Sequence, residues 1–219
     1  DRPIDIDVIS GTNAEEEFIG VTFSGQIDAT NLHTLFDLND SNVATGTMEY
    51  SANFSIFPDS VRPPELVLTS DLSGLELQLP GEWAKPRSIS RPLDVSIQFL
   101  DAYTSVAFRH GRTSGWVHLS NNRVRRGSVG IGANAVVVSE DEEGLVVSGG
   151  VDSLEIDSHL VDSKPPIPWR LHNFRIGTLT AGGVECTNAI VSGQSISNTV
   201  EIQLASDEID ATFVRKATD

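Results

Sequence analysis

Apolar and polar residues alternate along residues 44–57, which carry the most regular pattern in the chain. Every second position is apolar, and the five residues concerned are Met48, Tyr50, Ala52, Phe54 and Ile56. In an extended chain this alternation places all five side chains on one face, whereas a helix would scatter them around its circumference. The pattern therefore predicts a long strand whose apolar face must lie against something broad and apolar.

The same two-residue period recurs along most of the chain and predicts about 14 strands separated by Gly, Pro, Asn and Asp turns. One short helix is predicted near residues 30–38, where Thr30 would be the N-cap and Leu32, Leu35 and Phe36 form an apolar stripe. The predicted fold is all-β, an antiparallel meander curled into an open groove. A closed β-sandwich or jelly roll is the alternative, because a dry core requires the same alternation.

The apolar positions change parity within residues 65–80. Leu66 and Leu68 lie at even positions, whereas Leu75, Leu77 and Leu79 lie at odd ones. Because one residue of slip turns every side chain to the opposite face, we expect a bulge near Ser73 and Gly74 that keeps both halves facing inward.

A cluster of prolines at 165–168 marks the best internal boundary. It predicts a β-groove segment over residues 1–164. Residues 165–219 would begin a following β-repeat that continues the same sheet.

The charge balance narrows the possible partners. The chain has 15 Lys and Arg residues against 31 Asp and Glu residues, a formal net charge of −16. This argues against nucleic acid as a partner and against docking onto anionic lipid headgroups, because both need a basic surface. The chain contains no run of about 18 apolar residues, so the sequence predicts no membrane-spanning helix. The chain starts Asp-Arg-Pro without a signal-like segment, so we expect an excised piece or a processed product.

No pattern of chemistry-bearing residues predicts catalysis or a cofactor. The histidines lack the spacing of a metal site, and each is expected at the surface or at a cap; they are His33, His110, His118, His159 and His172. Gly127, Gly130 and Gly132 lack the lysine and the following helix of a phosphate loop, so we interpret them as glycines that let a strand bend. We therefore expect neither an enzyme nor a metal site.

Three further features also have structural interpretations. The acidic run Glu140 to Glu143 lacks the alternating pattern of a calcium loop and is expected to form a solvated hairpin turn between strands at 136–138 and 145–147. Asn53 begins a glycosylation sequon, but it lies in the middle of the predicted long strand. Cys186, the lone cysteine, is expected to be a small core residue.

Several phrases of the sequence resemble the AsmA-like superfamily, and most closely its large YhdP-type branch. These proteins carry an S-D-L-x-G-L-x-I-x-L-P phrase, followed by a lysine-proline loop and an R-P-L strand start; residues 70–80 resemble the phrase, with Leu77 at the isoleucine position. Downstream R-G-x-I-G-x-G and G-L-x-V-x-G elements are also similar, and the family's following repeat resembles the C-terminal region. In this chain the matching segments are 85–86, 91–93, 126–132, 144–149 and 170–214.

This resemblance implies a piece of a bacterial bridge-like lipid-transfer protein that is periplasmic and anchored in the inner membrane by a segment outside this chain. In such proteins an apolar β-groove carries phospholipid acyl chains between the inner and outer membranes and supports outer-membrane integrity. The expected partners are phospholipid, the remainder of the same long chain, and both membranes through other segments.

If the resemblance holds, the apolar faces of the predicted strands would line the groove. The candidate lining residues are Met48, Tyr50, Phe54, Ile56, Leu75, Leu77, Leu79, Leu93, Val95, Ile97, Phe99, Val106, Phe108, Ile202, Leu204 and Phe213. The alternative function is a closed module that binds carbohydrate or protein. It would seal the same residues in its core and use Trp83, Trp116 or Trp169 as exposed platforms.

Overall fold

The structure of the chain is a computed structural model that describes residues 4–13, 16–31, 43–79, 83–121, 123–132, 135–136, 144–156, 167–196 and 199–216. The described residues form fourteen strands and one helical turn at residues 29–31. They divide into two compact units, one of residues 1–79 and 83–111 and one of residues 80–82 and 112–219. The structure confirms the predicted all-β class.

The first unit contains seven strands. Six of them lie side by side in the order β1-β2-β3-β4-β6-β7, each antiparallel to its neighbour, and β5 pairs with the N-terminal end of β3. The first and last strands of this sheet do not pair with each other within the described ranges, so the sheet is open, as predicted. The strands are β1 Asp5–Asn13, β2 Glu16–Asp28, β3 Ala44–Ile56, β4 Glu65–Ser70, β5 Leu75–Leu77, β6 Leu93–Phe99 and β7 Thr104–His110.

The second unit contains the other seven strands, which lie in chain order from β8 to β14. Its sheet is also open among the residues described, because β8 and β14 are not paired with each other. The strands are β8 Thr113–Ser120, β9 Arg123–Ile131, β10 Gly144–Ile156, β11 Trp169–Ala181, β12 Val184–Ile196, β13 Thr199–Ala205 and β14 Asp210–Lys216.

Two strand pairs in the second unit depart from the predicted meander. β10 pairs in parallel with both β9 and β11. Residues 145–147 pair with 127–129 on one edge and with 169–171 on the other, so no edge is left for a strand at 136–138. Val136 instead contacts a side chain of β10: Ser148 Oγ donates to Val136 O at 2.6 Å and accepts from Val136 N at 2.9 Å. The predicted hairpin between 136–138 and 145–147 is therefore wrong.

The parity change in the first unit has the predicted cause. Thr69 of β4 lies opposite Ser51 of β3, whereas Leu75 of β5 lies opposite Gly46, so the partner of β3 contains one extra residue between these points. Gly74 has a φ of 86° and Leu72 a φ of 54° in this segment. The predicted bulge near Ser73 and Gly74 is confirmed, and it returns the leucines of β5 to the face that the leucines of β4 occupy.

Three other predictions fall partly or wholly outside the described residues. The helical turn has Asp28, and not Thr30, as its N-cap, because Thr30 N donates to Asp28 Oδ1 at 2.8 Å; this bond lowers the pKa of Asp28. The rest of the predicted helix lies outside the described residues, as do the acidic run at 140–143 and the boundary after residue 164. The boundary stays a prediction.

Gly149 offers a test of the close approach of β10 to β9 at the end of their pairing. Its φ is 105°, and an added Cβ would meet the carbonyl oxygen of Ile131. Gly182 also has a positive φ, of 57°, but its missing Cβ points into open space. We expect Gly149→Ala to lower the free energy of unfolding by more than about 2 kcal/mol and the matched Gly182→Ala by about 1 kcal/mol, measured by urea denaturation. Equal losses would contradict this account of the contact between Gly149 and Ile131.

Candidate functional site: the apolar sheet faces

The first unit presents a continuous apolar face across six strands. Residues directly opposite one another on neighbouring strands form rows, and two adjacent rows on this face contain only apolar residues. One row is Ile6, Phe23, Ala52, Leu68, Val95 and Phe108, and the other is Val8, Val21, Phe54, Leu66, Ile97 and Val106. The pairing register therefore extends a single-strand pattern into a two-dimensional apolar surface.

The opposite face of the same sheet is mostly polar. The row between the two apolar rows is Asp7, Thr22, Asn53, Val67, Ser96 and Ala107. Asn53 Nδ2 donates to Thr22 Oγ1 at 2.9 Å, and Ser96 Oγ donates to Glu65 Oε1 at 2.9 Å. The amide of Asn53, which begins the sequon, is thus engaged in the middle of β3. The two faces differ enough that only one of them can contact an apolar ligand.

The apolar face is half-buried in its centre and exposed at its β1 edge. Ala52 is 1% exposed, whereas Ile6 and Val8 on β1 are 64% and 69% exposed. Between these limits Phe54, Leu66 and Ile97 are half-buried, so they keep part of their surface accessible. The rings of Phe54 and Phe99 meet edge to face with centroids 6.1 Å apart. A surface of this kind can accept an apolar partner without unfolding.

The structure brings most of the predicted lining residues of the first unit onto this face. Ten of them lie on β3, β6 and β7 at positions of one parity: Met48, Tyr50, Phe54, Ile56, Leu93, Val95, Ile97, Phe99, Val106 and Phe108. Leu75 and Leu77 join the same side of β3 through β5, and Leu79 follows β5 half-buried. The prediction omitted the equivalent residues of β1, β2 and β4, although the same alternation marks them.

One end of the apolar face closes into a small core. Met48, Leu72 and Leu75 are buried there with Ala29 of the helical turn, and Leu93 packs against them. Met48 and Leu75, both predicted as lining residues, are 5% and 3% exposed, so they belong to this core and are not available to a ligand. The sequence prediction did not separate this sealed end from the open part of the face, because alternation is the same in both.

Lys85 fastens the loop at this sealed end. It is 1% exposed, and its Nζ donates to Leu75 O at 2.6 Å and to Pro86 O at 3.2 Å, while its backbone pairs with Leu77. Burial lowers the pKa of the Lys85 ammonium, and the charge of Arg91 acts in the same direction against an opposing effect of Asp71. The lysine of the lysine-proline phrase is therefore a structural anchor, and no hydrophobic pattern marks it in the sequence.

His110 is the last residue of β7, and it lies on the apolar face opposite Leu93. Both ring nitrogens are buried and have no hydrogen-bond partner among the described residues. Burial lowers the pKa of His110, and the charges of Arg91 and Lys85 act in the same direction. The backbone of Pro92 acts in the opposite direction, although it falls short of hydrogen-bond geometry. The expectation of a surface or cap role is wrong for His110.

The second unit also has an apolar face. A row that runs across it contains Val129, Val147, Leu171, Gly193, Ile202 and Phe213. The predicted lining residues Ile202 and Phe213 lie directly opposite each other in this row, and Leu204 lies two residues along β13 on the same face. The second unit therefore carries an apolar row as well, and the opposite face of its β10 also has a buried apolar residue, Val146.

The structure also places two more of the histidines and the lone cysteine. His118 is 2% exposed, against the expected surface role, and its Nδ1 accepts from Arg126 Nε at 3.0 Å; His172 is exposed as expected. Cys186 is buried, which confirms the expected core position. His33 and His159 lie outside the described residues.

Gly127 and Gly130 lie within β9, which confirms that they are strand glycines. Each of the three tryptophans is half-buried, so the structure shows none of them as a fully exposed platform. Among the described residues no group of His, Cys, Asp and Glu is arranged to hold a metal ion. No described helix has the length and apolar composition needed to cross a membrane.

The burial of His110 predicts a pH dependence of stability. Because its folded-state pKa lies below the ordinary value of 6.5, the unfolded chain binds more protons just below that pH, and stability falls as pH drops through this window. We expect His110→Phe to lose less stability than the wild type between neutral pH and mildly acidic pH. Urea denaturation at several pH values measures this. Parallel profiles for the two proteins would show that His110 is not the responsible group.

Comparison of the chain with protein-family models, with curated proteins and with solved structures finds no match. The relation to the AsmA-like superfamily therefore stays a resemblance of short phrases.

Proposed function

We propose that this chain binds phospholipid acyl chains along the apolar face of its open sheet, as a segment of a periplasmic lipid-transfer protein. The observation that carries the proposal is the pair of uninterrupted apolar rows that cross six strands of the first unit. The resemblance to the YhdP-type branch supplies the context, namely transfer between the inner and outer membranes.

The chemistry of the face favours an acyl chain over a polar ligand. Its two central rows contribute only apolar side chains, and the polar side chains of the row between them, Asp7, Thr22, Asn53 and Ser96, lie on the other side. Binding on this face is stabilised by about 0.8 kcal/mol for each ligand methylene removed from water, and this contribution depends little on the shape of the ligand. Such a surface suits flexible hydrocarbon, which can adapt to side chains of different sizes.

The extent of the face also matches an elongated ligand. Six strands at a spacing of about 4.8 Å span roughly 24 Å between the first and last strand axes. An extended acyl chain of ordinary length is of the same order. A row that runs across the strands therefore offers a continuous track, whereas a pocket for a compact ligand would need walls on several sides.

The polar face of the sheet can contact water. Asp7, Asn53 and Ser96 lie on it between the positions of the apolar rows. This side can face water while the other side holds lipid, so the sheet needs no second layer to remain soluble when the apolar face is occupied.

One substitution placed on each face tests the proposal. Val95 lies in an apolar row, and Val67 lies on the polar face of the adjacent strand, opposite Ser96, with 39% of its surface exposed. We expect Val95→Asp to reduce co-purifying phospholipid at least about tenfold, because an acyl chain cannot lie against a carboxylate without removing its water. The identical change Val67→Asp should leave the bound lipid near the wild-type amount.

The measurement is native mass spectrometry of the purified protein combined with lipid extraction of the same sample, and circular dichroism confirms that each variant is folded. Wild-type protein that carries no phospholipid after purification, and takes none from vesicles, would refute the proposal and favour a closed β module. Equal losses of lipid in the two variants would show that the effect is not specific to the apolar face.

A further inference from the structure

A polar hollow lies on the face of the second unit that is opposite its apolar row. Three neighbouring strands, β11, β12 and β13, form this β11–β13 hollow, which has a volume of about 360 Å³. A volume of this size is within the range of sites that hold small molecules. The polar side chains around it include Arg170, Asn173, Ser192, Gln194, Glu201 and Gln203. All of its lining residues belong to the second unit, so the hollow is separate from the apolar face of the first unit.

The pairing register brings these side chains to one face of the sheet. Gln194 lies opposite Arg170 on one side and opposite Glu201 on the other, so the three form one row across the strands. Ser192 lies opposite Gln203 in the next row on the same face. The positions between these two rows belong to the apolar row, whose side chains lie on the other face. The hollow is therefore bordered by two rows of polar side chains.

A bulge in β11 forms one wall of the hollow. The register with β12 shifts between Leu171 and Phe174. His172 and Asn173 therefore both lie opposite the single residue Ser192. A bulge of this kind redirects the side chains that it carries, and bulges are common beside binding and active sites.

Asn173 has a strained backbone conformation in this bulge. Its φ of 45° lies in the left-handed region, which residues other than glycine seldom adopt. Asn173 N donates to Ser192 Oγ at 3.3 Å, and Ser192 Oγ donates to Asn173 Oδ1 at 3.0 Å. The Nδ2 group of Asn173 takes no part in these two bonds, so it can donate to a ligand. Strain that is held in place by specific hydrogen bonds is characteristic of functional sites.

The lining of the hollow combines hydrogen-bond donors, acceptors and both signs of charge. The amides of Asn173, Gln194 and Gln203 each donate and accept, whereas the guanidinium of Arg170 only donates and the carboxylate of Glu201 only accepts. Glu201 accepts from the side chains of Gln194 and Gln203 at 3.4 Å each. Both of these bonds are long, so ligand groups can replace them with shorter ones.

This lining selects against charged and apolar ligands. A phosphate accepts hydrogen bonds and would be repelled by the carboxylate of Glu201, and a hydrocarbon would remove the polar groups from water without replacing their hydrogen bonds. A hydroxyl group both donates and accepts. Neighbouring hydroxyls on an uncharged ring therefore match a lining that mixes amides with one carboxylate and one guanidinium.

Trp169 supports the hollow from the other face of the sheet. Its ring lies 3.3 Å from the position that a Cβ of Gly193 would occupy, on the side of the apolar row. Trp169 is therefore not an aromatic platform for a ligand in the hollow, and recognition there depends on the polar side chains.

We propose that the β11–β13 hollow binds an uncharged sugar, as a mono- or disaccharide unit of a glycan. Hydroxyls of the sugar donate to Glu201 and accept from Arg170, and the amide of Asn173 bonds a further hydroxyl across the hollow. This site goes beyond the proposed lipid binding, because it has a different ligand and lies in a different unit.

A matched pair of asparagine substitutions tests the site. Asn173→Gly removes the amide but keeps a residue that readily adopts a positive φ, so the bulge is retained. Asn188→Gly makes the identical change at another left-handed position, with a φ of 52°, on β12 outside the hollow. We expect Asn173→Gly to weaken sugar binding at least about fivefold, because a hydrogen bond is lost. Asn188→Gly should leave the affinity unchanged.

Glu201 provides a second test that leaves the bulge untouched. Glu201→Gln keeps the shape of the side chain but removes its charge and one acceptor, so we expect sugar binding to weaken at least about tenfold. Glu185→Gln, at an exposed position of β12 outside the hollow, is the matched control and should bind as the wild type does. Circular dichroism confirms that each variant is folded.

The measurement is an NMR titration of the whole isotope-labelled chain with methyl glucoside, methyl galactoside, methyl mannoside and N-acetylglucosamine. The readout is the chemical shift of the backbone amides of Asn173, Ser192 and Gln203, and we expect at least one of the sugars to shift them with a millimolar dissociation constant. Inorganic phosphate should not shift them. Octyl glucoside separates two sources of the sugar: affinity at least about tenfold above that of methyl glucoside indicates a glycolipid headgroup, and equal affinity a free glycan.

Three results would overturn the proposal. None of the four sugars could shift the three amides up to about 100 mM, where even weak binding is visible. Phosphate could shift them in place of the sugars, which would indicate an anion site. Asn173→Gly and Asn188→Gly could also lower the affinity equally. Sugar binding should survive Val95→Asp in the first unit, and none of these results bears on lipid binding there, so the two proposals fail independently.

Discussion

The first unit depends on the register between its strands. Side chains alternate with a period of two, so a sheet has one apolar face only if every neighbouring pair keeps the parity of the pair before it. Five consecutive pairings, from β1 to β7, satisfy this condition in two adjacent rows. A slip of one residue at any pairing would place carboxylates and amides beside the apolar rows and break the surface in two.

The parity change between β4 and β5 in the first unit shows how the chain maintains this condition there. The segment between β4 and β5 contains one extra residue relative to β3, and Gly74 adopts a positive φ there. Ser73 N donates to Asp71 Oδ1 at 2.8 Å, and Leu72 N donates to Ser70 Oγ at 3.0 Å, so side chains satisfy the backbone groups that leave the ladder. Buried Lys85 then ties the loop to Leu75. Residues 70–75 of the phrase that resembles the AsmA-like proteins therefore form the turn that corrects the parity.

The sequence was sufficient to predict what depends on neighbours along the chain. Alternation identified the strands, the apolar side chains and the bulge, because each follows from a few consecutive residues. It could not identify which strands pair: β10 lies parallel to β9 and β11, and nothing in the residues of β10 distinguishes this from a hairpin. It also missed the buried positions of Lys85 and His118, since their burial depends on residues distant in the chain. For the same reason Leu75 was assigned to an open surface although it lies in a sealed core.

The parallel strands of the second unit have a consequence for the order of folding. In the first unit the neighbours β1 and β2, and likewise β6 and β7, are close in sequence, so each pair can form by closing a short loop. In β9 and β10 every opposed pair is equally far apart in the sequence, from Arg126 and Gly144 to Ile131 and Gly149, so no short turn brings a first pair together. Synthesis from the N-terminus also presents the first unit before the second. The β1–β2 and β6–β7 hairpins can therefore start from a short turn, whereas the ladder between β9 and β10 has no local starting point.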